Sequence, residues 1–238
     1  MTNEDNKKLR TVYAVVNNET FLENLKESFG QSPVFDFKGG MTERACCTDE
    51  ILKIKPEVIV TEAYMPFMDI YAFIKNISEY EYKPKIYALT GSDNMESIDS
   101  MLKNGIRHCI LMPTSSLNVV DSVETDLMME ANILEKKIVE IFKELGLSIR
   151  SSGYKYLKFM IMEGYRDQKI LNCVSKGIYQ EIADMYSTSI ASVERSMRMV
   201  IENAWECRIE GIWEKYFQNP GYKPTVKEFV AEMIYKLR

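Results

Sequence analysis

Along the first half of the chain, short apolar runs alternate with longer stretches whose apolar positions recur at helical spacing. TVYAVV (Thr11 to Val16), PEVIVT (Pro56 to Thr61), PKIYALT (Pro84 to Thr90) and RHCILM (Arg107 to Met112) read as short apolar strands. VFDFKG, between the first two, is a weaker strand candidate. FLENLKESF, YAFIKNI and MESIDSMLKNG carry the helical pattern between strands. This alternation predicts a parallel sheet covered on both faces, with functional groups gathered at the carboxyl ends of its strands. Asn17, Glu62, Thr90 and Met112 are the residues expected there.

The second half carries almost no strand signal. Helical patterns run through ANILEKKIVEIFKELG, YKYLKFMIMEGY, IYQEIADMY, IASVERSMRMVIENAWE, GIWEKYF and TVKEFVAEMIYKL, with breaks expected at Gly146, Gly153, the STS turn and the NPGYKP loop. From Leu117 to Leu145 the pattern stays helical, and no Pro-, Gly- or Ser-rich linker separates the halves. Two domains are therefore expected, residues 1–128 and 129–238, with the last helix of the first running almost directly into the first helix of the second.

Composition narrows the function classes. The 238 residues are 46% hydrophobic, yet no apolar run reaches the length of a membrane span and the polar start, MTNEDNKKLR, is no signal peptide. A cytoplasmic protein with no membrane association is expected. Five cysteines (Cys46, Cys47, Cys109, Cys173, Cys207) include no C-x-x-C pair, and the single histidine, His108, completes no set of zinc ligands. They read as reduced packing thiols. The net charge of −5 divides unevenly: the first half is acidic and the second slightly basic, which permits nucleic-acid binding. With no nucleophile–base pair and no Gly-rich phosphate loop, no catalytic residue, metal or cofactor is expected, and the chain reads as a non-enzyme.

VIVTEAYMPFMD (Val58 to Asp69), the strand ending in Thr90 and the strand ending in Met112-Pro113 together resemble the receiver domain of bacterial response regulators, over roughly residues 10 to 128. The resemblance implies a five-stranded parallel sheet of flavodoxin-like order. It also implies a phosphoacceptor pocket, in which an acidic pair holds Mg²⁺, an aspartate accepts the phosphoryl group, a Thr or Ser bonds it and a lysine neutralises it. An anionic nucleophile meeting an anionic donor needs such a cation and counter-charge. Here Val16, Asn17 and Asn18 stand where the acidic pair belongs, Glu62 replaces the aspartate, Met112 the lysine and Cys109 an aromatic switch residue. Thr90 and Pro113 are kept. The pocket is thus expected to be degenerate and to persist without metal, Glu19 being a poor lone support for Mg²⁺. Glu62 is either a built-in imitation of the phosphorylated state, with Thr90 turned toward it, or a leftover acid at a strand end, solvated or hydrogen-bonded locally.

IYQEIADMYSTSIASVERSMRMVIENAW has the grammar of a helix-turn-helix: Ile182 and Met185 inward, Ser187, Thr188 and Ser189 as turn and caps, then a second helix. Ile190, Val193, Met197, Val200, Ile201 and Ala204 are expected to be its buried face, and Ser192, Glu194, Arg195, Arg198, Met199 and Glu202 its outer one. Thr188, Ser189, Ser192, Glu194, Arg195, Arg198 and Met199 are the candidate DNA-binding residues. Arg195 and Arg198 can reach guanine edges or phosphates, and Glu194 can accept from cytosine. Trp205, Trp213, Tyr216 and Phe217 recur on apolar faces and are expected in the core.

With SGYKYLKFMIM before it and KPTVKEFVAEMIYKLR after it, this block resembles the effector domain of the sporulation initiation transcription factor family, over about Leu134 to Arg238. Its most specific part is VER-x-x-R-x-x-I-E-x-A-W, Val193 to Trp205. The resemblance implies binding to double-stranded DNA, commonly as a homodimer, with contacts to an RNA polymerase sigma factor. Two positions depart from it: Ser192 stands where the family has a base-reading arginine, and Met199 where it has a histidine. The leading expectation is a phosphorylation-independent DNA-binding transcriptional regulator. The alternative is an interaction module that binds a paralogous response regulator or its phosphorelay partners and reads DNA weakly or not at all.

Overall fold

The computed structural model describes residues 9–42, 47–66, 68–166, 177–217 and 221–238. The polar start, Cys46, Cys173, the side chain of Cys47, Phe67 and part of the NPGYKP loop lie outside the described residues. Two compact units are present, one reaching to Leu127 and the other beginning at Met128.

In the first unit, β1 (Arg10–Val15), β2 (Phe35–Met41), β3 (Val58–Glu62), β4 (Lys85–Thr90) and β5 (His108–Leu111) form one sheet in the order β2-β1-β3-β4-β5, every pair parallel. This is the flavodoxin-like order. The weaker strand candidate is thus β2, at the sheet edge. α1 (Glu19–Gln31), α2 (Cys47–Ile54), α3 (Ile70–Ser78), α4 (Met95–Lys103) and the first part of α5 (Ser116–Glu144) cover the sheet. Alternate side chains along each strand point to opposite faces. Val12, Ala14, Val58 and Val60 pack with Leu25 and Phe29 of α1 and Val119 and Val123 of α5. Tyr13, Val15, Ile59 and Ile86 pack with Ile51 of α2, Phe73 and Ile77 of α3 and Met101 of α4. α2 is the element that hydrophobic spacing did not single out, being eight residues long and buried chiefly through Ile51.

α5 is held on the sheet by a polar clasp. Tyr87 Oη donates to Asp126 Oδ2 at 2.7 Å, and Arg107 Nε donates to the same oxygen at 2.6 Å. Burial alone would raise the Asp126 carboxyl, but the hydrogen bonds from Arg107 and Tyr87 outweigh it and hold its pKa below the usual carboxylate range. Burial and the same bond push the Tyr87 hydroxyl well above its ordinary value.

The second unit packs the rest of α5 with α6 (Ser152–Arg166), α7 (Gly177–Met185), α8 (Ile190–Glu206) and α9 (Val226–Leu237). α5 runs unbroken for 29 residues and Gly146, at φ +78°, follows its end, where the sequence places the first stop. GIWEKYF forms only a 3-10 turn, Trp213–Lys215, since Gly211 at φ +85° precedes it and the chain leaves the helical pattern soon after. Phe142, Tyr154, Trp213, Phe217 and Phe229 make the aromatic centre, Phe142 and Tyr154 meeting edge-on at 5.0 Å and Trp213 and Phe217 stacking at 5.1 Å. Trp205 and Tyr216 are half-buried against it, so all four aromatics belong to this core.

Gly153, expected as a break, lies inside the first turn of α6. A Cβ there would come within 2.0 Å of the Ser196 carbonyl oxygen, so α6 and α8 touch backbone to backbone. Gly153→Ala is expected to wedge the two helices apart and cost about 1–3 kcal/mol. The chain's 2 tryptophans, Trp205 and Trp213, both lie in this unit, so the loss will appear in urea unfolding followed by tryptophan fluorescence. For the first unit, a lowered Asp126 pKa contributes stability above the ordinary carboxylate pKa and loses it as pH falls through the lowered one. Asp126→Asn should therefore cost about 1 kcal/mol near neutral pH, a value discounted for solvent screening. Its stability should converge on wild type in acid, read by circular dichroism in urea across pH.

Candidate functional site

Because β1 and β3 are neighbours at the middle of the sheet, the residues that follow them converge. The backbone N–H of Asn17 donates to Glu62 Oε1 at 2.8 Å, and its side-chain Nδ2 donates to Glu62 Oε2 at 2.7 Å. Both carboxylate oxygens are thus taken by one residue. Asn18 turns away and caps α1, accepting from the Phe21 N–H at 2.8 Å, and Glu19 opens that helix. The structure therefore resolves the register: Asn17 occupies the pocket and Asn18 is a helix cap.

The other pocket residues stand apart from this pair. Thr90, fully buried, accepts from the Ser92 N–H at 3.1 Å and makes no hydrogen bond to Glu62, because its hydroxyl turns into its own loop. The geometry for an imitation through Thr90 is not formed. Met112 packs half-buried against the sheet core, and Cys109 lies against Met101 with the sulfurs 4.0 Å apart. Burial pushes the Cys109 thiol up in pKa, and Cys109 and Cys207 are free thiols. Beside the Asn17–Glu62 pair a cavity of about 560 Å³ is lined by Asn17, Ala63, Tyr64, Met65, Pro66, Met68, Asp69, Ile70 and Tyr71.

These residues do not fit a magnesium ion. A hard cation takes several oxygen ligands, commonly more than one carboxylate among them, whereas here Glu62 has both oxygens engaged by Asn17 and Asp69 is engaged as the cap of α3. Among the described residues no three His, Cys, Asp or Glu side chains group as a metal site. Asn17→Asp would set a second carboxylate against Glu62, and a loss of about 1–2 kcal/mol near neutral pH is expected. Calorimetric unfolding checks this, and millimolar Mg²⁺ or mild acid should recover the loss.

In the second unit the STS turn is built by three different devices. Ser187 sits at φ +49°, Thr188 N–H bonds the Ala183 carbonyl at 2.8 Å and Ser187 N–H bonds that of Asp184 at 3.3 Å, the Schellman closure of α7. Ser189 then caps α8, accepting from the Ser192 N–H at 3.2 Å and donating to the Ser192 hydroxyl at 3.0 Å. Val193, Met197, Val200, Ile201 and Ala204 are buried as expected. Ile190 is not: it is 38% exposed, since it occupies the first position of the helix, where its packed neighbours no longer reach.

At about 100° per residue, Arg195 points roughly opposite the middle of the buried face. Ser192 and Met199 lie to one side of it, and Arg198 and Glu194 to the other. All five are exposed, while Thr188 is half-buried in the turn. Glu194 and Arg198 pair at 3.9 Å, a contact that at this exposure contributes little. Glu202 pairs with Lys223, which holds its carboxyl below the usual range. Arg195 has no ion pair among the described residues.

Residues 138–237 match the family described as "Sporulation initiation factor Spo0A C terminal". This match falls on the helical unit and covers less than half of the chain. It is preceded by a parallel sheet unit of flavodoxin-like order, and the match makes the helical unit Spo0A-like. Among solved structures it is similar to the receiver domain of the putative response regulator NarL from Mycobacterium tuberculosis, at 18% identity over 50% of this chain and 96% of that one, with a TM-score of 0.45. It is also similar to the receiver domain of the putative Luxo repressor protein from Vibrio parahaemolyticus, at 15% identity over 51% and 92%, with a TM-score of 0.46. A response regulator from Desulfuromonas acetoxidans gives 20% identity over 50% and 98%, with a TM-score of 0.43. Likenesses this distant add nothing to the strand order already described. Among the described residues no helix is long and apolar enough to cross a membrane.

Proposed function

We propose that this Spo0A-like chain is a DNA-binding transcriptional regulator whose activity is not set by phosphorylation. The observation that carries the proposal is the Asn17–Glu62 pair: the acceptor position is occupied by a carboxylate with both oxygens already bonded. No lysine stands at Met112 to neutralise an incoming phosphoryl group, and the residues do not suit Mg²⁺. The outer face of α8, with Arg195 at its centre, supplies the surface for a major groove, and Thr188, Ser189, Ser192, Glu194, Arg198 and Met199 surround it. On this reading residues 1–128 act as a pseudo-receiver, residues 129–238 bind double-stranded DNA, and output follows abundance, homodimerisation or a partner such as a sigma factor.

One observation favours the second reading, a module that pairs with a paralogous response regulator and reads DNA poorly. The Ser192 hydroxyl is engaged by Ser189, so this face offers one free reading group fewer. Co-purification with such a paralogue, without promoter occupancy of its own, would decide for that role.

Incubation with acetyl phosphate and Mg²⁺ is expected to leave the protein unmodified by intact mass, and a stable phosphorylated species at Glu62 would overturn phosphorylation independence. In gel-shift titrations at stated salt, binding to family-type promoter boxes should exceed binding to random DNA. Arg195→Ala should lower it at least tenfold. Equal binding to both DNAs would overturn the DNA-binding role.

A further inference from the structure

Met199 is an anomaly on α8. It is 46% exposed, is not a member of the core cluster of its unit, and stands among Ser, Arg and Glu side chains on the outer face of the helix. An exposed methionine gains from being covered by an apolar partner. It shares its side of the helix with Ser192, two turns earlier and roughly 10 Å away along the axis. The Ser192 hydroxyl is already bonded to Ser189, so that end of the stripe is held in the cap. Arg195 lies one turn from Met199, roughly 6 Å along the axis, about two base steps of a duplex.

The major groove presents several hydrogen-bonding groups but only one apolar group, the C5-methyl of thymine. A thioether carried into the groove beside Arg195 has no other apolar partner to meet. We infer that Met199 is a specificity-determining residue that covers a thymine methyl one or two base pairs from the base faced by Arg195. This rests on the proposed DNA-binding role and assigns to it a base preference. It also gives the departures at Ser192 and Met199 a common sense: hydrogen-bonded readout is reduced at one position and an apolar contact added at the other.

The test removes one methyl group. A site is first selected from random duplexes with the full chain, and each thymine in it is then replaced in turn by uracil, which differs only in lacking the methyl. Affinities are read by fluorescence anisotropy at fixed salt. At one thymine, uracil is expected to weaken wild-type binding about fourfold, the worth of one buried methyl. The same replacement should leave Met199→Ala, whose fold is checked by circular dichroism, unaffected. The inference is overturned if uracil is neutral at every thymine, or if its penalty persists in Met199→Ala. If wild type enriches no site at all, the DNA-binding role falls and this inference with it, an outcome distinct from either of the others.

Discussion

Parallel strands bring the residues at their carboxyl ends together, and a carboxylate placed where β1 and β3 converge is stabilised by a neighbouring cation or by hydrogen-bond donors. This chain takes the second course. Asn17 offers Glu62 two donors from one residue, a main-chain N–H and a side-chain amide, at 2.8 and 2.7 Å. The neighbouring replacements are consistent with that choice. With the charge satisfied locally, a lysine at Met112 would itself need a partner, and an apolar side chain there packs against the core instead. Thr90 is left to close its own loop through Ser92. A second acid beside Glu62 would undo the arrangement, which is why asparagine and not aspartate suits position 17.

The helical unit depends on a different kind of closeness. α6 reaches α8 through Gly153 with no side chain between the backbones, and α8 is started by the Ser189 cap immediately after the left-handed Ser187 stops α7. These three residues set where α8 begins and how it lies within its unit. Its outer face is thereby presented with Arg195 in the middle. The aromatic centre formed by Phe142, Trp213 and Phe229 sits behind that helix and not on its surface.

Much of this was legible in the residues. Four strands and the long α5 follow from apolar runs and helical spacing, and the buried face of α8 follows from period alone at every position but Ile190. Where the pattern misled, the cause was local. Gly153 reads as a break because glycine disfavours helix, yet its lack of a Cβ is used for contact. α2 escaped because a short helix buried chiefly through one residue leaves little period to read. At the site, the chemistry of the replaced residues was readable one by one, but not their partners. Nothing in the order Val16-Asn17-Asn18 says which asparagine faces Glu62; the helix start at Glu19 decides it, by claiming Asn18 as its cap.

Both candidate sites depart from the patterns they resemble in the same physical direction. In the pocket, acids and a lysine give way to amides and a thioether; on α8, an arginine gives way to Ser192 and a histidine to Met199. Charge-based contacts act over a Debye length and weaken with salt, whereas amide bonds and apolar contacts act only on touching and are nearly indifferent to it. A pocket altered in this way has less to offer a phosphoryl group or a divalent cation. On the proposed reading, the pocket and the outer face of α8 share one shift, from long-range electrostatics to short-range complementarity.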